Sequence, residues 1–138
     1  MNNMIKPKRK EHGQSMVELA ITITFLMILL AGTVDLGHAF FVWQEMRDAA
    51  QEGAAYGSIC PGDGSEAIDR ARANLVNDSD FSVDYDAPST SVGQPITVTI
   101  ETDLPINMPF LGTILGSDSI HITATINDSI LTSDCPIP

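Results

Sequence analysis

At 138 residues the chain is long enough for one small domain, with roughly 80 to 100 residues left for it once a membrane segment is set aside. Its net charge of −11 is unevenly spread: Lys6, Lys8, Arg9 and Lys10 supply four of the seven Lys and Arg before Gly13, whereas seventeen of the eighteen Asp and Glu follow it. An exterior that acidic excludes nucleic acid as a partner, because phosphates need a basic face.

The basic leader, residues 1–13, runs into an apolar stretch from Met16 to Val34 that holds one charge, Glu18. As a helix this stretch rises about 28 Å, close to the hydrocarbon thickness of a bilayer. An isolated strand would leave its N–H and C=O groups unpaired in lipid, so a transmembrane helix is predicted, and Thr22 and Thr24 can return their hydroxyls to the preceding turn. Basic residues before the span and acidic ones after it place the N-terminus in the cytoplasm and the rest of the chain outside. The apolar run is longer than the core of a secretory signal, and Ala31-Gly32-Thr33 makes a poor signal-peptidase site.

Helical periodicity continues beyond the span, with Leu36, Ala39, Phe40, Trp43, Met46, Arg47 and Ala50 at spacings of three and four. A single spine from Met16 to Tyr56 would be about 60 Å long. Phe40, Phe41 and Trp43 suit either the outer interface belt or the face of a soluble domain. Ser58 to Ser65, with Cys60-Pro61-Gly62-Asp63-Gly64, reads as a turn. A short helix from Glu66 to Asn77 follows, with Ser65 as its cap and Ala67, Ile68, Ala71, Leu75 and Val76 on one face. Period two then takes over at Phe81, Val83 and Tyr85, at Ile96, Val98 and Ile100, and at Ile120, Ile122, Ala124 and Ile126. Between the second and third of these strands, Phe110 to Leu115 reads as a short helix or an apolar loop.

The expected fold is therefore α+β: a leader (1–13), a transmembrane and spine helix (14–57), and an extracytoplasmic domain (58–138) with a short helix and an antiparallel sheet of three strands. Cys60 and Cys135 both fall after the span, where an oxidising compartment permits a disulfide, and two cysteines alone do not make a structural zinc site. His12, His38 and His121 form no nucleophile–base pattern, and no cofactor motif is present. Asp78, Asp80, Asp84 and Asp86 lack a calcium-loop signature and read as a solvated acidic face.

Function is carried by Gly13-Gln14-Ser15-Met16-Val17-Glu18. A glycine at the junction of a basic leader and an apolar helix, with a glutamate five residues on, is the prepilin-peptidase pattern. Glycine lets the peptidase approach the backbone closely, and an acid inside a membrane helix is a functional candidate in its own right. The segment from Gly13 through Asp35-Leu36-Gly37 to Ala49-Ala50-Gln51-Glu52-Gly53-Ala54 and Gly57 resembles the TadE-like family of pseudopilins of tight-adherence (Flp) pili. His38 and Ala55 depart from it, standing where that family often has arginine. The resemblance implies a minor pilin, not an enzyme, cleaved between Gly13 and Gln14 by a prepilin peptidase. It also implies other pilus subunits and inner-membrane assembly machinery as partners, with Glu18 meeting the new N-terminal amine of a neighbouring subunit. The rival reading is a single-pass, membrane-anchored binding domain that is never cleaved.

Overall fold

The computed structural model describes residues 12–107 and 116–135; the expectations placed on the leader before residue 12 and on Phe110 to Leu115 lie outside the described residues. The architecture is α+β as expected, with α1 (His12–Ile59), α2 (Gly64–Ala73), a 3-10 turn at Asp78–Asp80, and strands β1 (Ser82–Asp86), β2 (Pro95–Pro105) and β3 (Ser119–Ser129).

No proline interrupts the sequence between Pro7 and Pro61, and α1 continues for 48 residues, about 72 Å, before Cys60 and Pro61 end it. Gly32 and Gly37 lie within it without breaking it. The apolar stripe expected along its second half is only partly buried. Met46 and Ala50 pack fully, whereas Leu36 and Phe40 stay exposed, because α2 and the sheet cover the helix from Met46 upward. Trp43 is half-buried against that core, while Phe40 and Phe41 are exposed, so of the three aromatic residues Trp43 is the one that meets the soluble domain.

The covered face of α1 is built from small residues: Ala49, Ala50, Gly53, Ala54 and Gly57. They let neighbouring backbones come close. A Cβ at Gly53 would lie 3.0 Å from the Ala67 carbonyl oxygen, and one at Gly57 would lie 2.6 Å from the Tyr85 ring. Tyr85 uses that space to reach across and donate its hydroxyl to the Pro61 carbonyl at 3.2 Å, tying β1 to the turn after α1.

In α2 the cap is Asp63, whose carboxylate accepts the Glu66 amide at 3.3 Å; Ser65, the expected cap, lies inside the helix and donates its hydroxyl to Asp63. The helix also stops earlier than Asn77. Asn74 returns its side-chain amide to the Arg70 carbonyl, and Asn77 turns left-handed at φ 60°. Leu75 is still buried, but Val76, expected on the same face, is exposed, and its amide is taken by the Glu45 carboxylate of α1.

The sheet has the order β1-β2-β3 and is antiparallel throughout, with Tyr85 opposite Val98 and Ala124 opposite Ile100. Alternation sends Ile96, Val98, Ile100 and Thr102 of β2 to the inside, where Val98 and Ile100 join Met46, Ala50, Ala71 and Leu75 and Thr102 donates its hydroxyl to the Asp80 carbonyl at 2.8 Å. The opposite face is polar, with Thr97 bonded to Asn127 at 2.7 Å. After β3 the chain crosses to the end of α1: Ile130 is buried, the Leu131 amide donates to the Ser58 carbonyl at 2.8 Å, the Thr132 amide approaches the same carbonyl at 3.5 Å, and the Thr132 hydroxyl, donated to the Asp134 carbonyl, lies 3.4 Å from that of Ile59. Carbonyls that a helix end leaves without partners are thereby satisfied. The crossing is fastened by a disulfide between Cys60 and Cys135, whose Cα atoms are 4.4 Å apart.

With 75 residues of separation, that link is worth up to about 4.5 kcal/mol in the chain-entropy account. Urea unfolding of the detergent-solubilised chain, followed by near-UV dichroism, should show a large loss of stability on reduction. Equal midpoints with and without reductant would mean that the hydrogen bonds from Leu131 and Thr132 hold the crossing by themselves.

Candidate functional site

Residues singled out from the sequence occupy opposite ends of α1. Gly13, Gln14 and Glu18 lie in its first turns; Cys60 follows its last. At 1.5 Å per residue Glu18 and Cys60 are separated by about 63 Å, so they form no common pocket.

At the lower end the helix stands alone. From Gly13 to Leu30 every residue is exposed, and the helix is long and apolar enough to cross a membrane once. Its hydroxyls are satisfied internally: Thr22, Thr24 and Thr33 donate to the carbonyls of Glu18, Ala20 and Leu29 at 2.8 to 2.9 Å. That leaves Glu18 as the polar side chain out of keeping with lipid. Its carboxylate has no hydrogen-bond or ion-pair partner among the described residues. Gly13, Gln14, Val17, Glu18 and Ile21 border one shallow face, and a Cβ at Gly13 would touch nothing within 4 Å, so the backbone there is open to approach. An unpaired acid on a bare apolar helix needs a cationic or hydrogen-bonding partner from another molecule.

The upper end carries two clusters that sequence periodicity did not bring together. In the first, Arg70 stacks over the Tyr56 ring with its guanidinium carbon 4.4 Å from the ring centroid, and also pairs with Glu66 at 3.1 Å. Tyr56 donates its hydroxyl to Asp63 at 3.4 Å. Burial and the negative charges of Asp63 and Glu66 raise the Tyr56 pKa above 10.0, against the opposing pull of Arg70; burial alone raises that of Tyr85. The second cluster lines a groove of about 610 Å3 between α1 and the sheet, where His38, Glu45, Asp80, Glu101, Asp103 and His121 meet. His121 is exposed, as expected for the polar side of its strand, but it is not alone: its Nδ1 lies 3.0 Å from Asp103 and its Nε2 3.9 Å from Glu101. Only the register that sets Asp103 opposite His121 reveals this. Among the described residues no group of three or more His, Cys, Asp or Glu is arranged to hold a metal ion.

Both tyrosines hold their protons more tightly in the folded chain than in the unfolded one, so stability should be lost as pH rises above the unfolded value near 10. Tyrosinate absorbance should titrate with midpoints above 10 for the folded chain and return to about 10 in denaturant. A folded-state midpoint at or below the denatured one would contradict the packing of both rings.

Comparison with known families falls on the helix. The model of the family described as TadE-like protein matches residues 13–55, from Gly13 in the first turn of α1 to the small-residue face that carries the core. The likeness is to a family associated with the Tad pilus, structural rather than enzymatic, and it covers the segment on which the resemblance was expected. No curated protein and no solved structure matches the chain.

Proposed function

We propose that this chain, TadE-like over residues 13–55, is a minor pilin or pseudopilin that takes part in assembling a tight-adherence pilus. It is inserted with its N-terminus in the cytoplasm, cut by a prepilin peptidase between Gly13 and Gln14, and retained through α1 among other pilus subunits and the inner-membrane assembly machinery. The observation that carries this reading is the unpaired Glu18 on the exposed apolar half of α1, five residues after an open glycine.

The chemistry follows from depth and charge. Cleavage after Gly13 would make Glu18 the fifth residue of the mature chain, less than two helical turns from the new amine on Gln14. An acid at the centre of a membrane helix costs roughly 2.5 to 3.5 kcal/mol, and less near the interface. The amine of a second subunit, docked alongside, neutralises that carboxylate and removes the penalty, so association is favoured over the isolated helix. Basic residues in the leader hold the cut site on the cytoplasmic side. The polar sheet and the disulfide then belong to the extracytoplasmic side, where an oxidising compartment maintains the link.

Cleavage and assembly separate experimentally. Mass spectrometry of the membrane-purified chain from cells with an active prepilin peptidase should find a mature N-terminus at Gln14, both for the unaltered sequence and for Glu18→Ala. The variant should nonetheless fail to co-purify with the other pilus subunits at the normal level, and surface filaments should be fewer. An intact leader would favour an uncleaved membrane-anchored domain. Normal co-purification and normal filament numbers for Glu18→Ala would remove the role assigned to this carboxylate.

A further inference from the structure

The two outer strands of the sheet differ in length: β1 has five residues, while β3 has eleven and pairs with β2 alone. Which backbone groups of β3 face outward follows from the register. The Ile106 amide donates to the Asp118 carbonyl and the Ile130 amide to the Gln94 carbonyl, both at 2.9 Å and both in step with the β2–β3 pairing. Antiparallel bonding alternates, so the even-numbered residues of β3 turn their N–H and C=O toward β2 and the odd-numbered ones turn theirs away. At the two ends of this outer row, side chains stand in for a neighbouring strand. Ser117 Oγ accepts the Ser119 amide and donates to the Ser119 carbonyl, and the Asp128 carboxylate accepts the Ser129 amide at 2.7 Å. Between them His121, Thr123, Thr125 and Asn127 are exposed, and their backbone N–H and C=O groups have no partner among the described residues.

The stretch from Ile120 to Asn127 contains no proline, lysine or arginine and no inward-facing charge, and its one-to-one register with β2 excludes a bulge. The devices that blunt a free edge are therefore absent from it. Three of the four outer side chains are tied back over the sheet: His121 to Asp103, Thr125 to Thr99 and Asn127 to Thr97. On the inner face Ile122 and Ile126 are half-buried against the core and leave apolar surface at the margin. Donors and acceptors on alternate residues, about 7 Å apart, match one kind of ligand, an extended polypeptide.

Strand direction narrows the choice of chain. A Cβ at Gly57 would lie 3.0 Å from Ile96 and one at Gly53 3.6 Å from Val98, and Leu104 shares a groove with His38 and Val42, so β2 descends beside α1. Its antiparallel neighbours β1 and β3 both rise away from the span. Antiparallel pairing on β3, the more stable form, needs a segment that runs down toward the membrane. A second copy inserted the same way offers only rising edge strands, and turning it over would point its α1 out of the bilayer. Charge sets the composition: beyond Gly13 the chain has seventeen acidic residues against three arginines, and Asp118 and Asp128 flank the open stretch. We propose that the β3 edge from His121 to Asn127 binds an extended segment of a different protein, antiparallel to β3 and as a fourth strand of the sheet. That segment carries apolar side chains at alternate positions beside Ile122 and Ile126 and neutral or basic ones on its other face. The proposal needs α1 to span a membrane but does not depend on the pilus role.

The test uses the full chain in the cells that produce it, with a photo-reactive benzophenone side chain placed in turn at His121, Thr123, Thr125 and Asn127. The Cys60–Cys135 link, checked in each variant, reports that the chain has folded. Sequencing of the cross-linked peptides should find one segment of one other protein, with the attachment point moving toward that segment's N-terminus as the label moves toward the C-terminus of β3. Attachment to a second copy of this chain, attachments in no order, or none at all would overturn the proposal. Hydrogen exchange of the unaltered chain gives a second reading that needs no variant. The amides of Thr123 and Thr125 should exchange at least about tenfold more slowly in membranes of those cells than in the detergent-purified monomer, while that of Ala124, turned toward β2, is slow in both. Equal rates for Thr123 and Thr125 in the two preparations would contradict strand addition.

Discussion

The fold depends on how closely two backbones can approach α1. Over its last four turns the helix offers Ala49, Ala50, Gly53, Ala54 and Gly57 to its neighbours, and the carbonyl of Ala67 and the ring of Tyr85 occupy the space that larger side chains would fill. Tight packing of this kind lets a core of few residues, with Met46, Leu75 and Ile100 as its largest members, hold two helices and three strands together. A larger side chain at Gly57 would press on Tyr85 and so on the hydrogen bond that fixes β1 to the Pro61 turn. The far end of the chain returns to the same place, where Leu131, Thr132 and Cys135 close over the end of the helix. One helix is thus both the wall of the core and, at its other end, an apolar rod with no covering of its own.

What was legible in the sequence was whatever repeats locally. Alternation of Ile96, Val98 and Ile100 with threonines, and of Ile120, Ile122, Ala124 and Ile126 with polar residues, is a property of neighbouring positions, and both strands form where that pattern lies. The long helix was legible for the same reason, as an apolar run continued without proline. Choices between near-equivalent local options were not. Asp63 and Ser65 are both good caps, and the helix starts at the earlier one because Gly64 follows Asp63 into the turn without steric cost against the Tyr85 ring. Leu75 and Val76 both fit the helical face, yet Asn74 and the left-handed Asn77 end the helix before them.

The remaining features are non-local. Tyr85 looks like one of several alternating strand residues, and its role follows from two glycines, Gly57 and Gly64, that are distant from it in sequence. The pairing of His121 with Asp103 and the groove shared by His38 and Leu104 require both the strand register and the side of the helix that the sheet covers. Of the candidate site, the first turns of α1 were readable because glycine, a bare apolar helix and a single acid are all local signals, and the family likeness lies on that same stretch. The division of the aromatic cluster, with Trp43 against the core and Phe40 and Phe41 outside, depends on where the sheet ends.

Both the core and the proposed assembly role therefore require α1 to be one rigid element, so that the bare lower half and the core-bearing upper half keep a fixed relation. Electron–electron distance measurement between spin labels at Ile21 and Glu52, both exposed on α1, reads this directly in a bilayer. A continuous helix predicts a single narrow distribution near about 47 Å. A broad distribution, or one centred well below that, would place a break between the two halves and contradict the shared helix on which both the core and the proposed assembly role depend.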